Sequence, residues 1–517
     1  MTGAFLDTAA AAVASPSENV QTFLFLLLGL LAGYLLWRRG NPPNLPPGPW
    51  GIPGLGAIPF LGLAPHETLM TMSKAYGAIM SVRLGPKLTV VLNGQRAIHQ
   101  ALIKRASVFS DRPGFELVNM VHKGRGIIAG PSTEFIQKQR RFLMRSFRTL
   151  GLNTHSIENL LQAEVETLMT SLKQVQGNCG EVYDVINRSV VNAIAVFSFG
   201  NRFNHNDPKF HSLVSSLEGV FRFSSTGVGL MTQAFPVLLK FPRGLPGLSQ
   251  FLEDGENFLT IIRDIVKSRR QVFAEILQKD PTLADFKPSD ILDCYFQETT
   301  RGQAWFMSDE DFCHMIMDNY IAGTTTTRLT LQWAMLLLTI SPREQLKMHE
   351  EVVSVVGTDR LPSLKDKDNL PYTKAAIFEL LRISCVTPLS VPREAADDVI
   401  IDGHRIPKGT MVMTNLWSVT NDPDVWEDPR TFKPERFLNA DGECVLPKEW
   451  LPFSTGKRSC IGQAIAESMM FMYISAIVQN YRIYLPPGKP VPTAEPIPAM
   501  HLHPQPCEIF FAKYPPC

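Results

Sequence analysis

At 517 residues, with 45% hydrophobic and 19% charged side chains, the chain can bury a large core, which excludes a disordered protein. Fifty basic residues against 49 acidic leave a formal net charge of +1, which argues against a nucleic-acid binder. Eight cysteines with no C-x-x-C pair and no dense framework fit reduced thiols facing the cytosol, one of them doing chemistry.

Val20 to Trp37 is an uncharged, Leu-rich run of 18 residues, long enough to cross a bilayer as a helix. A cleaved signal peptide is the alternative. However, residues 1–19 carry Asp7 and Glu18 and no Lys or Arg, while Arg38 and Arg39 follow the run. The positive-inside rule therefore predicts a lumenal N-terminus over 1–19, a retained anchor over 20–37 and a cytoplasmic remainder. Residues 38–52 contain Pro42-Pro-Asn-Leu-Pro-Pro-Gly-Pro49, suited to a stiff extended linker. The rest, 53–517, reads as one catalytic domain. Ile79–Leu84 and Lys87–Leu92 flank Gly85-Pro86 with partial apolar alternation, which predicts a hairpin.

From Glu134 to Leu150 the pattern is helical and basic, with Arg141, Arg145 and Arg148 on one face. That face is either solvated or a docking patch for an acidic partner. Residues 155–300 read as amphipathic helices broken at Gly177, Pro208 and Pro242, and Phe221–Gly247 is apolar and irregular. Ser308-Asp-Glu-Asp311 predicts a capped helix start, and the helical pattern then runs to Ile340, stopped by Ser341-Pro342. Such a helix is roughly 50 Å long at 1.5 Å per residue. In its middle lies Ala322-Gly-Thr-Thr-Thr-Thr327, a poor helix former, and such a local violation points to function. Gly323 would permit close approach of a flat ligand, and a threonine hydroxyl can bond backward or to a guest. The alternative is a harmless bend. Glu379-Leu-Leu-Arg382 is an i,i+3 pair on a helical segment, and Pro434-Glu-Arg436-Phe lies downstream. Short strand patterns surround Gly403 and Gly409.

Phe453-Ser-Thr-Gly-Lys-Arg-Ser-Cys460-Ile-Gly462 leads into an apolar helical segment, Gln463 to Tyr481. A glycine turn thus delivers one cysteine to a helix N-terminus, where free N–H groups and the dipole favour a thiolate, a metal ligand or a nucleophile. Arg458 offers a cation to an anionic group, and Gly462 lets the backbone approach something flat. A lone buried cysteine is more often inert; the four spaced companions reverse that here.

This stretch, F-x-x-G-x-R-x-C-x-G, resembles the haem-binding loop of the cytochrome P-450 haem-thiolate monooxygenases at Phe453, Gly456, Arg458, Cys460 and Gly462. The likeness covers roughly residues 40 to 515, and its wording is most similar to the animal microsomal branch acting on drugs, steroids and fatty acids. It implies a mainly α fold with small β-sheets, a triangular helical prism around haem, carried on an N-terminal transmembrane anchor helix. It implies haem b with Cys460 as axial thiolate, Phe453 packed by the sulfur, and Arg112, Arg140, Arg393 and Arg458 on the propionates. Glu379, Arg382 and Arg436 would form a structural cluster. Ala322–Thr327 matches A-G-x-[D/E]-T-T, with Thr326 as the oxygen-activating threonine. Thr325 stands where the family has an acid, which leaves Asp318, two turns back, as a candidate proton source. The family's tryptophan near 136 is replaced by Phe135-Ile136. Residues 38–52 resemble the microsomal hinge, Phe221–Gly247 the pocket roof, and Val386–Pro392 a pocket lining.

The implied function is monooxygenation of a lipophilic fatty acid, steroid or xenobiotic. O2 would be the oxidant, with NADPH-derived electrons from NADPH-cytochrome P-450 reductase, cytochrome b5 as a second donor, and no nucleic acid. The implied location is the endoplasmic reticulum membrane, single-pass. The alternative is an O2-independent isomerase or dehydratase of lipid peroxides, which Thr325 favours slightly. A third reading is a tethered haem- or sterol-binding protein without turnover.

Overall fold

A computed structural model describes residues 42–150, 155–175, 179–241, 244–279 and 286–514. The expected lumenal segment and anchor lie outside the described residues. Among the described residues, no helix is long and apolar enough to cross a membrane.

Helices dominate. The first half holds α1 (Pro65–Tyr76), α2 (Gly94–Leu102), α3 (Glu116–His122), α4 (Glu134–Leu150), α5 (His155–Gln174), α6 (Cys179–Phe199), α7 (Pro208–Ser224) and α8 (Gly227–Ala234). The second holds α9 (Leu248–Lys279), α10 (Ile291–Thr300), α11 (Asp309–Ile340), α12 (Pro342–Val356), α13 (Pro371–Ser384), α14 (Trp417–Thr420) and α15 (Gln463–Asn480). The strands are β1 (Ile79–Leu84), β2 (Lys87–Asn93), β3 (Arg393–Glu394), β4 (Val399–Ile401), β5 (His404–Ile406), β6 (Met411–Asn415), β7 (Tyr481–Tyr484) and β8 (Phe510–Lys513).

The hairpin β1–β2 pairs Ile79 with Leu92 and Leu84 with Lys87. It joins a four-stranded sheet in the order β1-β2-β6-β3, while β4–β5 and β7–β8 are separate pairs. One large apolar core runs through the helical body. A smaller one, with Val90, Val412 and Trp417, lies under the sheet.

α11 is the axis of the helical body. Its start is a capping box: the Ser308 hydroxyl accepts from Asp311 N, and the Asp311 carboxylate accepts from Ser308 N at 3.0 Å. Being buried on nearly every side, it packs against α6, α9, α13 and α15. A Cβ at Gly323 would lie 2.8 Å from Ile194 Cδ1, so this glycine lets α6 cross α11 closely. The neighbour so admitted is a helix. Residue type revealed the close approach but not which neighbour made it.

The proline-rich stretch turns at Pro43-Asn44 and then runs on without helix or strand, yet it is not a free linker. Ser81 N donates to Pro47 O at 2.9 Å, Ser81 Oγ to Pro46 O at 2.7 Å, and Arg405 N to Asn44 O at 2.8 Å. The packed unit therefore already includes residues 44–47, ahead of the boundary at 53.

Candidate active site

The Cys460 loop is a closed turn. Cys460 N donates to Phe453 O at 3.1 Å, and Ser459 N to Gly456 O at 2.9 Å. Gly456 has φ 80°, and a Cβ there would sit 2.1 Å from Leu102 O, so the motif glycine is required twice over. Phe453 stacks edge-on to Trp450 at 5.8 Å. Cys460 lies deep in the molecule, yet its side chain is exposed, because it opens into a cavity of about 980 Å³. Burial pushes its thiol up, while a hydrogen bond from the Gly462 backbone and the Arg140 charge pull it down. Burial wins. A coordinated metal at this sulfur would favour loss of the proton.

Four arginines from separate elements converge beside this loop. Arg458 donates to Ser110 O, Ile127 O and Gly130 O. Arg112 donates to Ile128 O, Val391 O and Pro392 O. Arg393 donates to Phe109 O, Ser454 Oγ and Thr455 O, and Arg140 to Ser459 O at 3.1 Å. Burial, then mutual repulsion, pushes Arg393 and Arg458 down to about 10 and Arg112 well below its ordinary value. Asp111 is the carboxylate acting against this on Arg112 and Arg458, and the buried Arg393 Nε has no partner among the described residues. Such a cluster is costly unless a further anion enters. The donor set therefore fits a group that offers one metal to Cys460 and two carboxylates to the arginines, as haem does.

α11 does not line that cavity. Within this buried helix Ala322 is exposed and Thr326 half-exposed, which marks an internal space. Thr326 Oγ1 donates to its own helix at Ala322 O, 2.7 Å away. Thr325 is buried. Asp318 is not free to serve Thr325: its carboxylate accepts from the backbone N–H groups of Ile127 and Ile128, and His122 Nε2 is 3.6 Å away. Ile136, where the family has tryptophan, is buried against Gly130 of the same loop.

Glu379 and Arg382 on α13 are fully buried and paired twice, at 2.6 and 2.8 Å. Arg436 Nε reaches the same carboxylate at 3.2 Å, and Arg382 also donates to Thr420 O and Pro429 O. Removing one partner of such a pair costs about 3–5 kcal/mol. The cluster touches nothing in the cavity.

The basic face of α4 divides. Arg145 is forked onto Glu298 of α10 at 2.9 Å. Arg141 and Arg148 instead line the cavity beside Cys460, with Lys367, Lys374 and Lys457. Seven basic side chains against two carboxylates, Asp368 and Glu467, make this wall strongly positive. The lysines were missed in the sequence because they come from segments remote from α4.

A family model described as Cytochrome P450 matches residues 46–511. Cytochrome P450 2J3 of Rattus norvegicus is 34% identical over 465 residues, covering 89% of this chain and 88% of its own. Cytochrome P450 2U1 of Bos taurus is 31% identical over 521 residues, covering 95% and 93%. Cytochrome P450 2D27 of Mesocricetus auratus is 31% identical over 502 residues, covering 95% and 97%.

Proposed function

The chain belongs to the cytochrome P450 family, and on that premise we propose that it oxygenates a lipophilic guest with NADPH-derived electrons passed to it by a reductase. Membership makes it a haem-thiolate monooxygenase. The observation that carries the reading is the meeting of Cys460 with four arginines short of counter-charge. Bound there as haem b, the cofactor would supply O2 activation, with electron donation from sulfur favouring O–O cleavage.

The chain's own residues have separable tasks. Cys460 would provide the metal ligand, and Arg112, Arg140, Arg393 and Arg458 would take the propionates. Thr326 spends its proton on Ala322 O, which leaves its oxygen lone pairs to hold a water or a protonated guest in the space that exposes Ala322. Thr325 has no proton to give at neutral pH. Proton supply is therefore by water held at Thr326 and not by a neighbouring carboxylate. The positive wall at Arg141, Arg148 and Lys457 suits an acidic electron donor such as the reductase or cytochrome b5.

Residence in the endoplasmic reticulum membrane is supported by an apolar surface. The Phe235 ring packs on the Gly85 turn, and Gly85 N donates to Leu55 O. Leu55, bonded to that turn, is exposed, as are Leu230, Val237 and Phe241 on the segments flanking Phe235.

The test is Cys460→Ser in full-length protein. The far-red absorption band of the reduced carbon monoxide complex, produced by a thiolate ligand, should vanish, and product-coupled NADPH use with purified reductase should stop. A surviving band removes Cys460 from the ligand role. Turnover without O2 would revive the isomerase alternative.

A further inference from the structure

Two buried histidines have no task in the chemistry above. His122 ends α3, and His314 lies near the start of α11; they are 3% and 1% exposed. Their rings meet at 5.3 Å, tilted by 45°. Nδ1 of each is buried with no hydrogen-bond partner among the described residues. His122 Nε2 lies 3.6 Å from Asp318 Oδ1, and His314 Nε2 lies 3.4 Å from Glu310 Oε1.

Asp311, His314 and Asp318 fall at i, i+3 and i+7, one stripe along α11. The chain leaving α3 is fastened to that stripe point by point. Arg125 N donates to His122 O at 2.9 Å, and the Arg125 side chain pairs with Asp311. Gly126 follows with φ 83°. A Cβ there would lie 2.5 Å from Asp318 Oδ2 and 3.0 Å from His122 Nδ1, so the backbone rides directly on both groups. Ile127 and Ile128 then give their N–H groups to Asp318 Oδ2, and their carbonyls to Arg458 and Arg112. His122 thus stands at the other oxygen of the carboxylate that holds the loop, and His314 backs His122.

The pair has room for one charge. Asp318 can answer a proton on His122, but Glu310, beside His314, is already held by Arg263 of α9 at 2.6 Å, as is Glu256. Arg125 faces the pair from the loop. Of the other elements against α3, α8 carries no titratable residue and residues 236–240 only the exposed Lys240, while Asp254 of α9 is turned to Gly219 of α7. Two protonated rings at this separation, out of water and beside two arginines, repel. We propose that His122 and His314 are positioning residues for Arg112 and Arg458: the pair closes the 123–130 loop on α11 while it holds at most one proton, and a second proton opens the loop. This rests on the haem reading for what those arginines grip.

The sign follows from His314. In the closed loop burial, then His122, pushes it down to about 4, whereas a freed ring titrates near 6.5. Closure is therefore fully favoured above pH 6.5 and weakens as pH falls toward 4. Asp318, raised by burial, works the other way, so the share of the histidines is read as a difference between variants.

The test is hydrogen–deuterium exchange of residues 123–130 in full-length holoenzyme, read as protection between pH 7.5 and 5. Over that range wild-type protection should fall by roughly tenfold or more beyond the change in His314→Asn. Haem transfer to apomyoglobin should quicken over the same range in wild type, and less in the variant. If His314→Asn lowers protection by the same factor at every pH, the ring is merely structural and the proposal is overturned. Loop exchange that follows pH while haem transfer does not overturns the link to the arginines. Should His314→Asn not fold, His122→Asn is read in the same way, because it too removes the second charge. Loop exchange involves no haem chemistry, so failure of the haem reading would leave the exchange difference standing, and the two failures are distinguishable.

Discussion

Asp318 accepts the backbone N–H of Ile128 at 3.0 Å, and that of Ile127 beside it. The same two residues turn their carbonyls the other way, Ile127 to Arg458 and Ile128 to Arg112. One carboxylate on α11 thus fixes the loop that aims two of the four arginines. Asp318→Ala would leave two N–H groups unanswered, at about 1–3 kcal/mol each. The thermal unfolding midpoint and haem retention should both fall, and Asp318→Asn, which keeps an acceptor, should recover most of the loss. Were Asp318 a proton donor instead, Asp318→Asn would lower coupling of NADPH to product and leave stability alone.

The division of the α4 arginines makes a second expectation. Arg141→Glu with Arg148→Glu should slow reduction by the reductase several-fold and leave guest affinity unchanged, and the wild-type rate should fall with salt. Arg145→Glu should act differently. It places like charges at Glu298 and should lower stability by roughly 1 kcal/mol, with a smaller effect on reduction. Equal rate losses at all three positions would contradict the division.

At the threonines, Thr326→Ala should sharply lower the fraction of electrons ending in product and raise hydrogen peroxide release. Thr325→Glu should raise that fraction, provided haem content stays normal, because a carboxylate would then stand beside Thr326. Unchanged coupling with normal haem content would mean that proton supply bypasses position 325.

Acid should destabilise the fold across a defined window. Burial, with Arg430 added for His66 and His122 for His314, pushes both histidines down to about 4. The unfolded chain protonates them near 6.5, so the stability tied to their neutrality is complete above that pH and is lost as pH falls toward 4. Each is worth up to roughly 3 kcal/mol. Asp290 runs the other way: burial and Asp293 raise it to about 6, so the fold gains stability from about pH 6 down to 4. With His66, His314 and His501 all pushed down to about 4 against Asp290 alone raised to about 6, the unfolding midpoint should drop between pH 6.5 and 4. His314→Gln should make the drop shallower, and a flat profile would contradict the assignment.

Much of the fold was legible because the signals were local. α4 occupies the predicted span Glu134–Leu150, α11 begins at its capping box and stops at Ser341-Pro342, and the hairpin turns at Gly85-Pro86. The Cys460 motif is local as well, and its turn closes within ten residues. What was not legible depends on distant partners. Helical periodicity puts Arg145 on a face with Arg141 and Arg148, but Glu298 lies 153 residues away and claims only one of them. Asp318 shares a helical face with Thr325, yet two N–H groups from a loop 190 residues earlier occupy it.

The prolines before Trp50 have a mechanical consequence. Because Asn44 is hydrogen-bonded to β5, and Pro46 and Pro47 to β1, the chain enters the body at a fixed point and in a fixed direction. A pull or twist applied at Asn44 is delivered straight to β1 and β5, on the strand side of the molecule, and the body turns with that stretch like a key on its shank rather than swinging from it like a tag on a string.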